Sequence, residues 1–161
     1  MKKTRNHESG RSMIEIVGVL AITGLLTAGA FVLINSGMAS QKRNRAADEI
    51  NALVTGVRSL AVEAEDFSNL PSVRASDDTN SEGAKLARLI LKTDGTTPFG
   101  SDSFYVIGKS SADGDGLYVY IIGFDNVSDC EAMALRSYAG NSKLLCHATS
   151  APYYLKMLYK K

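Results

Sequence analysis

A long uncharged stretch near the amino terminus constrains this chain more than any other feature. No Asp, Glu, Lys or Arg occurs from Ile16 to Gln41, and nearly every residue of Ile16–Ile34 is apolar or small. As an α-helix, Ile16–Ile34 would be roughly 30 Å long, which matches the hydrocarbon core of a bilayer. A buried helix of a soluble protein fits less well, because a far larger protein would be needed to cover all its faces. The stretch therefore predicts a membrane-spanning helix.

A single carboxylate, Glu15, directly precedes this apolar run. A charge at the edge of a membrane helix costs on the order of a few kcal/mol unless it reaches the headgroups or meets a cation. Two interpretations follow. Either Glu15 marks the place where the membrane ends, or it needs a cationic partner.

The remaining composition limits the classes of function. The chain has 161 residues and a formal net charge of +1, which leaves room for one ordinary domain and does not indicate a nucleic-acid partner. Its two histidines are His7, near the amino terminus, and His147, and no motif groups a nucleophile with a base or cradles a phosphate. The sequence predicts a protein that is not an enzyme and binds no cofactor.

Helical periodicity continues beyond the apolar run. Small and apolar residues recur three and four positions apart, while charged residues occupy the other faces, which is typical of an amphipathic helix. The pattern predicts one helix from about Ser12 to Asp66, with a membrane half over residues 11–38 and an amphipathic half over residues 39–66. The apolar positions of the second half are Ala46, Ala47, Ile50, Leu53, Val54, Val57, Leu60, Ala61 and Ala64.

The rest of the chain predicts a small mixed head over residues 39–161. A short helix over Glu82–Lys92, stopped by Gly95, precedes an antiparallel hairpin of two β-rich runs. Asp113 and Asp115 suit a hairpin turn better than a calcium loop, because no Glu closes the pattern. The further expected elements are strands Phe104–Ile107, Leu117–Ile122 and Lys143–His147, a helix from a Ser128–Glu131 capping box to about Ser137, and a final strand. The predicted fold class is α+β.

Two cysteines, Cys130 and Cys146, fall on the last predicted helix and the strand after it. In an oxidising compartment a disulfide between them is expected, whereas in the cytosol two free thiols would be the default. A metal site is the weaker interpretation, because His147 brings the ligands to three where a structural zinc site needs four.

Aromatic residues and lysines alternate in the ending, Tyr153–Lys161. A strand with exposed lysines is favoured over a patch that binds nucleic acid or adheres to a surface, because lysine side chains are usually exposed to solvent without any such role.

The amino-terminal arrangement resembles the leader of type IV prepilins and their pseudopilin relatives. A polar, basic leader, Met1–Gly10, ends in Gly10, and Glu15 follows five residues later, before the apolar run. The resemblance implies that a membrane prepilin peptidase cuts between Gly10 and Arg11 and methylates the new amino terminus on Arg11. It also implies that Glu15 pairs with the amino terminus of a neighbouring subunit.

Other positions extend or limit this resemblance. Gly24 stands where the family often has a glycine in a part of the helix that loosens on assembly. Arg11 departs from the family, which usually has an apolar residue there, and it lies four residues before Glu15, so the two can pair within one helix. The Pro98-Phe99-Gly100 turn and the paired cysteines are most similar to the type IVb and conjugative branch.

The implied function is that of a pilin, a structural subunit whose apolar helices bundle into a filament core. Its expected partners are other pilin subunits, the prepilin peptidase and an inner-membrane assembly platform, with no nucleic acid. The subunit would span the inner membrane once, amino terminus in the cytoplasm, and reach the cell surface in the pilus. Alternatives are a pseudopilin of type II secretion and a signal-anchored periplasmic binding module that never polymerises.

Overall fold

The computed structural model describes residues 13–64, 67–74, 78–109, 116–136, 138 and 141–160. The chain divides into two compact units, the first ending at Ser40 and the second covering Gln41–Lys161. In the described ranges the helices are α1 (Met13–Ala64), α2 (Glu82–Leu91) and α3 (Val127–Ala134), and the strands are β1 (Phe104–Lys109), β2 (Gly116–Phe124), β3 (Asn141–His147) and β4 (Tyr153–Lys160). The predicted α+β class, with a long amino-terminal helix and a small antiparallel sheet, is confirmed.

The first unit is described as the apolar part of α1. Every residue from Met13 to Met38 is exposed, including the large side chains of Leu25, Phe31 and Leu33. Within the described chain, α1 is the one helix long and apolar enough to cross a membrane. The sequence prediction of a span is therefore confirmed at the level of length and composition.

The second unit is built on a four-stranded antiparallel sheet of order β1-β2-β4-β3. The predicted hairpin is confirmed, since β1 pairs with β2 from Phe104 opposite Ile122 to Lys109 opposite Leu117. Strand β4, the last in the chain, lies between β2 and β3 and is hydrogen-bonded on both sides. The carboxy-terminal residues thus hold the middle of the sheet.

The main core joins α1 to one face of this sheet. Alternate residues of a strand point to the same face, and here those of β1, β2 and β4 form one buried cluster with the apolar positions of α1. Fully buried members of this cluster are Ala46, Ile50, Leu53 and Val57 from α1 and Tyr105, Ile107, Leu117, Val119, Ile121, Leu155, Met157 and Tyr159 from the strands. The amphipathic pattern after Ser40 is the source of this packing.

A smaller buried cluster lies on the other face of the sheet. Ala84 of α2 packs there with Val106, Tyr120 and Ile122. Helix α2 contributes to both clusters, because its Ala87 belongs to the main core. The helix is capped by Ser81, whose Oγ accepts a 3.2 Å hydrogen bond from the Ala84 amide.

The end of α2 differs from the prediction. The helix stops at Leu91, and Lys92 adopts the left-handed conformation with φ 53°, so Gly95 is not the residue that ends it. Gly95 has its own positive φ of 80° in the following turn, where its backbone lies against the Arg88 side chain. The left-handed position at the end of α2 is occupied by a lysine, so the nearby glycine does not mark the helix end.

The start of α3 also corrects the sequence analysis. The predicted cap at Ser128 is wrong, because the helix begins at Val127 after an extended Asn126 that makes no side-chain cap bond. Cys130 and Met133 are fully buried. Their packing decides where the helix begins, because it outweighs a side-chain cap bond, which would contribute only about 1 kcal/mol. The helix ends at Ala134, short of the predicted Ser137, which lies outside the described residues.

Candidate assembly segment and adjoining head

Glu15 lies in the first turn of α1 and is exposed. A carboxylate at that end of a helix interacts favourably with the partial positive charge of the helix dipole. Gly10 and Arg11 lie outside the described residues, so the cleavage, the methylation and an Arg11–Glu15 ion pair stay predictions.

Gly24 lies within α1, which is helical on both sides of it. A methyl group added at Gly24 would meet nothing within 4 Å, so its surface is open. An open glycine on a membrane helix allows a second helix to approach closely. The proposed loosening of the helix at Gly24 on assembly stays a prediction.

Two threonines in the apolar segment satisfy their hydroxyls within the helix, a feature that the sequence analysis missed. Thr27 Oγ1 donates to the Thr23 carbonyl at 2.6 Å, and Thr23 Oγ1 donates to the Val19 carbonyl. In hydrocarbon each unsatisfied polar group costs on the order of several kcal/mol. Because both hydroxyls are bonded within the helix, the segment is compatible with a bilayer. The four-residue spacing of Val19, Thr23 and Thr27 was the available indication.

The second part of α1 carries a buried polar contact with the sheet. The Tyr105 hydroxyl donates to Glu49 Oε2 at 2.6 Å, and Arg45 Nε donates to Glu49 Oε1 at 2.8 Å. Burial, together with the hydrogen bond to Glu49, raises the pKa of Tyr105 far above its usual value. The carboxylate thus has two donors although its side chain is only 17% exposed.

Helix α3 is attached to the same part of α1 by a second polar group. Arg43 Nη2 lies 3.2 Å from Asp129 Oδ1. In return, Arg136 donates to the Arg43 carbonyl at 3.3 Å and to Asn44 Oδ1 at 2.8 Å. These residues are more than 80 positions apart in the chain, so no local pattern pointed to them.

The predicted disulfide is confirmed between Cys130 of α3 and Cys146 of β3, with Cα atoms 5.8 Å apart. The bond joins a helix to a strand, as the sequence predicted. His147 was the third candidate ligand in the metal interpretation. Its ring stacks on the Tyr154 ring, with the ring centres 4.7 Å apart. Among the described residues, no group of three or more His, Cys, Asp or Glu side chains is placed to hold a metal ion.

The aromatic and lysine residues near the carboxy terminus form β4, as predicted. Lys160 is exposed, but Lys156 is half-buried with its Nζ 4.0 Å from the centre of the Tyr118 ring. The same Nζ lies 5.7 Å from the centre of the Tyr120 ring, which is itself 6.1 Å from the centre of the Tyr154 ring. The expectation of exposed lysines is therefore wrong for Lys156, because Tyr118 provides a cation-π partner on the neighbouring strand.

A small cavity of about 130 Å³ lies where the end of α2 meets the start of β1. Arg88, Asp94 and Asp102 contribute to its lining. Hydrogen bonds from the Thr96 side chain and backbone lower the pKa of Asp94. No His or Cys belongs to the lining that the structure describes, and the cavity does not assemble a nucleophile with a base.

Comparison of this chain with protein-family models, curated proteins and solved structures finds no match. Its function is therefore argued from the apolar segment, the head and the sequence pattern at the amino terminus.

Proposed function

We propose that this protein is a pilin, the structural subunit of a type IV pilus, which assembles through its amino-terminal helix after processing by prepilin peptidase. The observation that carries the proposal is the complete exposure of the apolar part of α1, Met13–Met38, next to a head with its own core. An apolar surface of this extent needs a partner, because soluble proteins rarely expose a contiguous apolar patch larger than roughly a few hundred Å².

Two environments cover such a helix in turn. In the membrane, lipid tails surround it, and its threonine hydroxyls are already bonded within the helix. In a filament, the helices of other subunits replace the lipid, and the open surface at Gly24 permits close approach. The same surface therefore serves storage in the inner membrane and assembly into the pilus core.

Glu15 supplies the specificity of assembly in this proposal. Cleavage between Gly10 and Arg11 creates a new cationic amino terminus four residues before Glu15 in every subunit. In the apolar core of a filament, a carboxylate is stable only where a cation compensates its charge. Pairing of Glu15 with the amino terminus of a neighbour sets the axial position of one subunit against the next.

The head is the outer, structural part of the subunit, with a role in surface contacts and not in catalysis. Its Cys130–Cys146 bond suits an exported domain, because disulfides persist in oxidising compartments. This favours a pilus subunit exposed outside the cell, and the inner-membrane assembly platform and prepilin peptidase are its proposed partners.

A second candidate is a signal-anchored module that never polymerises. It is favoured by the position of the span next to the amino terminus and by the independent core of the head. Mass spectrometry of the mature amino terminus separates the two. A pilin starts at a methylated Arg11. A start at Met1, or after Ala39, where the small residues that follow the apolar run offer the nearest candidate site for secretory signal cleavage, contradicts prepilin processing.

The assembly role is tested by replacing Glu15 with Ala in cells that form surface filaments from this protein. The variant should be inserted and processed normally, yet electron microscopy should show few or no filaments. Glu82→Ala is the matched control, because Glu82 is also an exposed carboxylate in the first turn of a helix. Normal filaments from Glu15→Ala would refute the assembly role.

A further inference from the structure

Four cationic side chains gather at the beginning of the second unit. Lys42, Arg43 and Arg45 come just after Gln41, the end of the uncharged stretch, and Arg136, two residues after α3, reaches the same place. We call these four residues the basic collar. Arg136 is separated from the others by more than 90 positions in sequence, so the fold, and not local composition, completes the group.

Contacts within the basic collar leave it with an excess of positive charge. Arg43 is paired with Asp129, and Arg45 is paired with Glu49. Lys42 is exposed, and Arg136 donates hydrogen bonds to two neutral oxygens, the Arg43 carbonyl and the Asn44 side chain. Four cations thus face two bonded carboxylates, and Arg136 is held in place without losing its charge.

We propose that the basic collar binds the phosphate of an anionic phospholipid while the subunit resides in the membrane. Only seven residues separate Ile34, at the end of the most apolar run, from Lys42, so the chain connection keeps the collar close to the membrane surface. Basic side chains at that level attract anionic headgroups, by about 1 kcal/mol or roughly fivefold in affinity for each Lys or Arg. This inference rests on the membrane span of the proposed function, but not on polymerisation.

A lipid phosphate fits the collar better than a soluble anion. The span holds the protein at the bilayer, so headgroups are present at high local concentration, whereas a free anion must be captured from dilute solution. Arg136 also suits phosphate because a guanidinium has five N–H donors, and its two hydrogen bonds within the protein leave others for a phosphate oxygen. Carboxylates of a neighbouring subunit are the competing occupant, and the experiment distinguishes them.

The test uses the full chain in mixed micelles that contain phosphatidylglycerol and phosphatidylcholine, with native mass spectrometry to count the retained lipids. The wild type should retain phosphatidylglycerol in preference to phosphatidylcholine. Lys42→Gln should lower that preference by about fivefold, and adding Arg136→Gln should lower it further. Lys160→Gln is the matched control, since Lys160 is an exposed lysine at the far end of β4, and it should leave the preference unchanged.

Four results would overturn the inference. Equal retention of the two lipids by the wild type excludes a phosphate preference, and an equal loss in Lys160→Gln shows that only total charge matters. Displacement of the lipid by inorganic phosphate at the same phosphorus concentration assigns the collar to a soluble anion. If Lys42→Gln reduces crosslinking between subunits but leaves the lipid preference unchanged, the collar binds carboxylates of a neighbouring subunit. Vesicle flotation with phosphatidylcholine alone tests the span separately, because an inserted protein floats whether or not the collar binds.

Discussion

The Tyr105 hydroxyl lies 2.6 Å from Glu49 Oε2, and this hydrogen bond joins residues 56 positions apart in the chain. Tyr105 is fully buried in β1, and Glu49 is on the helix that the sheet packs against. A carboxylate in such a place needs donors, because removing a charge from water without compensation is costly. The bond therefore fixes which part of α1 faces β1.

Tyr105→Phe should destabilise the head by about 1.5–3 kcal/mol, the range for a hydrogen bond to a charged group. The ring and its packing remain, so the loss reports the hydroxyl and the Glu49 carboxylate that it leaves partly unsatisfied. Urea unfolding of the full chain in detergent measures the change. Tyr153→Phe, at a half-buried tyrosine of β4, is the control, and equal stability of the two variants would contradict the assigned role.

The disulfide should contribute about 3 kcal/mol, the value expected for a closed loop of this length. Its cysteines are 16 positions apart, and the bond holds α3 against β3. The Cys130→Ser, Cys146→Ser double variant should unfold at a correspondingly lower urea concentration, with α3 more open to hydrogen exchange. Reductant should weaken the wild type to the same extent and leave the double variant unchanged. A reductant effect on that variant would show that another change is responsible.

Local features of the fold were predictable because local periodicity carries them. The apolar run predicted the first part of α1, and apolar positions such as Ile50 and Leu53 predicted the face that the sheet covers. Alternating β-rich residues predicted the hairpin of β1 and β2. The exported context implied by the leader made the Cys130–Cys146 bond the expected state, and the structure contains it.

Contacts between distant parts of the chain were not predictable in this way. Nothing near Asp129 or Arg136 in sequence indicates that they reach Arg43, because tertiary packing alone brings α3 to α1. The central position of β4 is likewise a property of chain topology, which a single strand pattern does not encode. For the proposed assembly site, the resemblance to type IV prepilins pointed to Glu15 and Gly24, and their roles remain predictions.

Gly83→Ala should destabilise the head by about 1–3 kcal/mol, the usual cost of overpacking. A methyl group at Gly83 would collide with the Ile107 carbonyl oxygen and approach Val106 Cγ1 to 2.8 Å. Because the carbonyl belongs to the strand backbone, α2 must move away from β1. Thermal unfolding measures the loss, and Lys85→Ala, at an exposed position of the same helix, should cost much less. Unchanged or raised stability of Gly83→Ala would contradict the close approach, because helix propensity alone favours alanine over glycine.

Stability should fall as the pH rises above about 10, the ordinary pKa of tyrosine. Burial raises the pKa of Tyr159 to about 12, and the pKa of Tyr105 is also raised by burial and by Glu49. In that range the unfolded chain releases phenol protons while the native head keeps them, so the native state binds more protons and each pH increment favours unfolding.

For Tyr159 the stabilising contribution is complete below about pH 10 and is lost as the pH rises to about 12. The loss for this one residue is on the order of 2 kcal/mol, because one unit of pKa shift corresponds to about 1.4 kcal/mol. Melting temperatures measured from pH 9 to pH 12 should decline less steeply in Tyr159→Phe, whose ring packs similarly but cannot ionise. Parallel curves for Tyr159→Phe and the wild type would show that this hydroxyl ionises equally in both states, contrary to its burial.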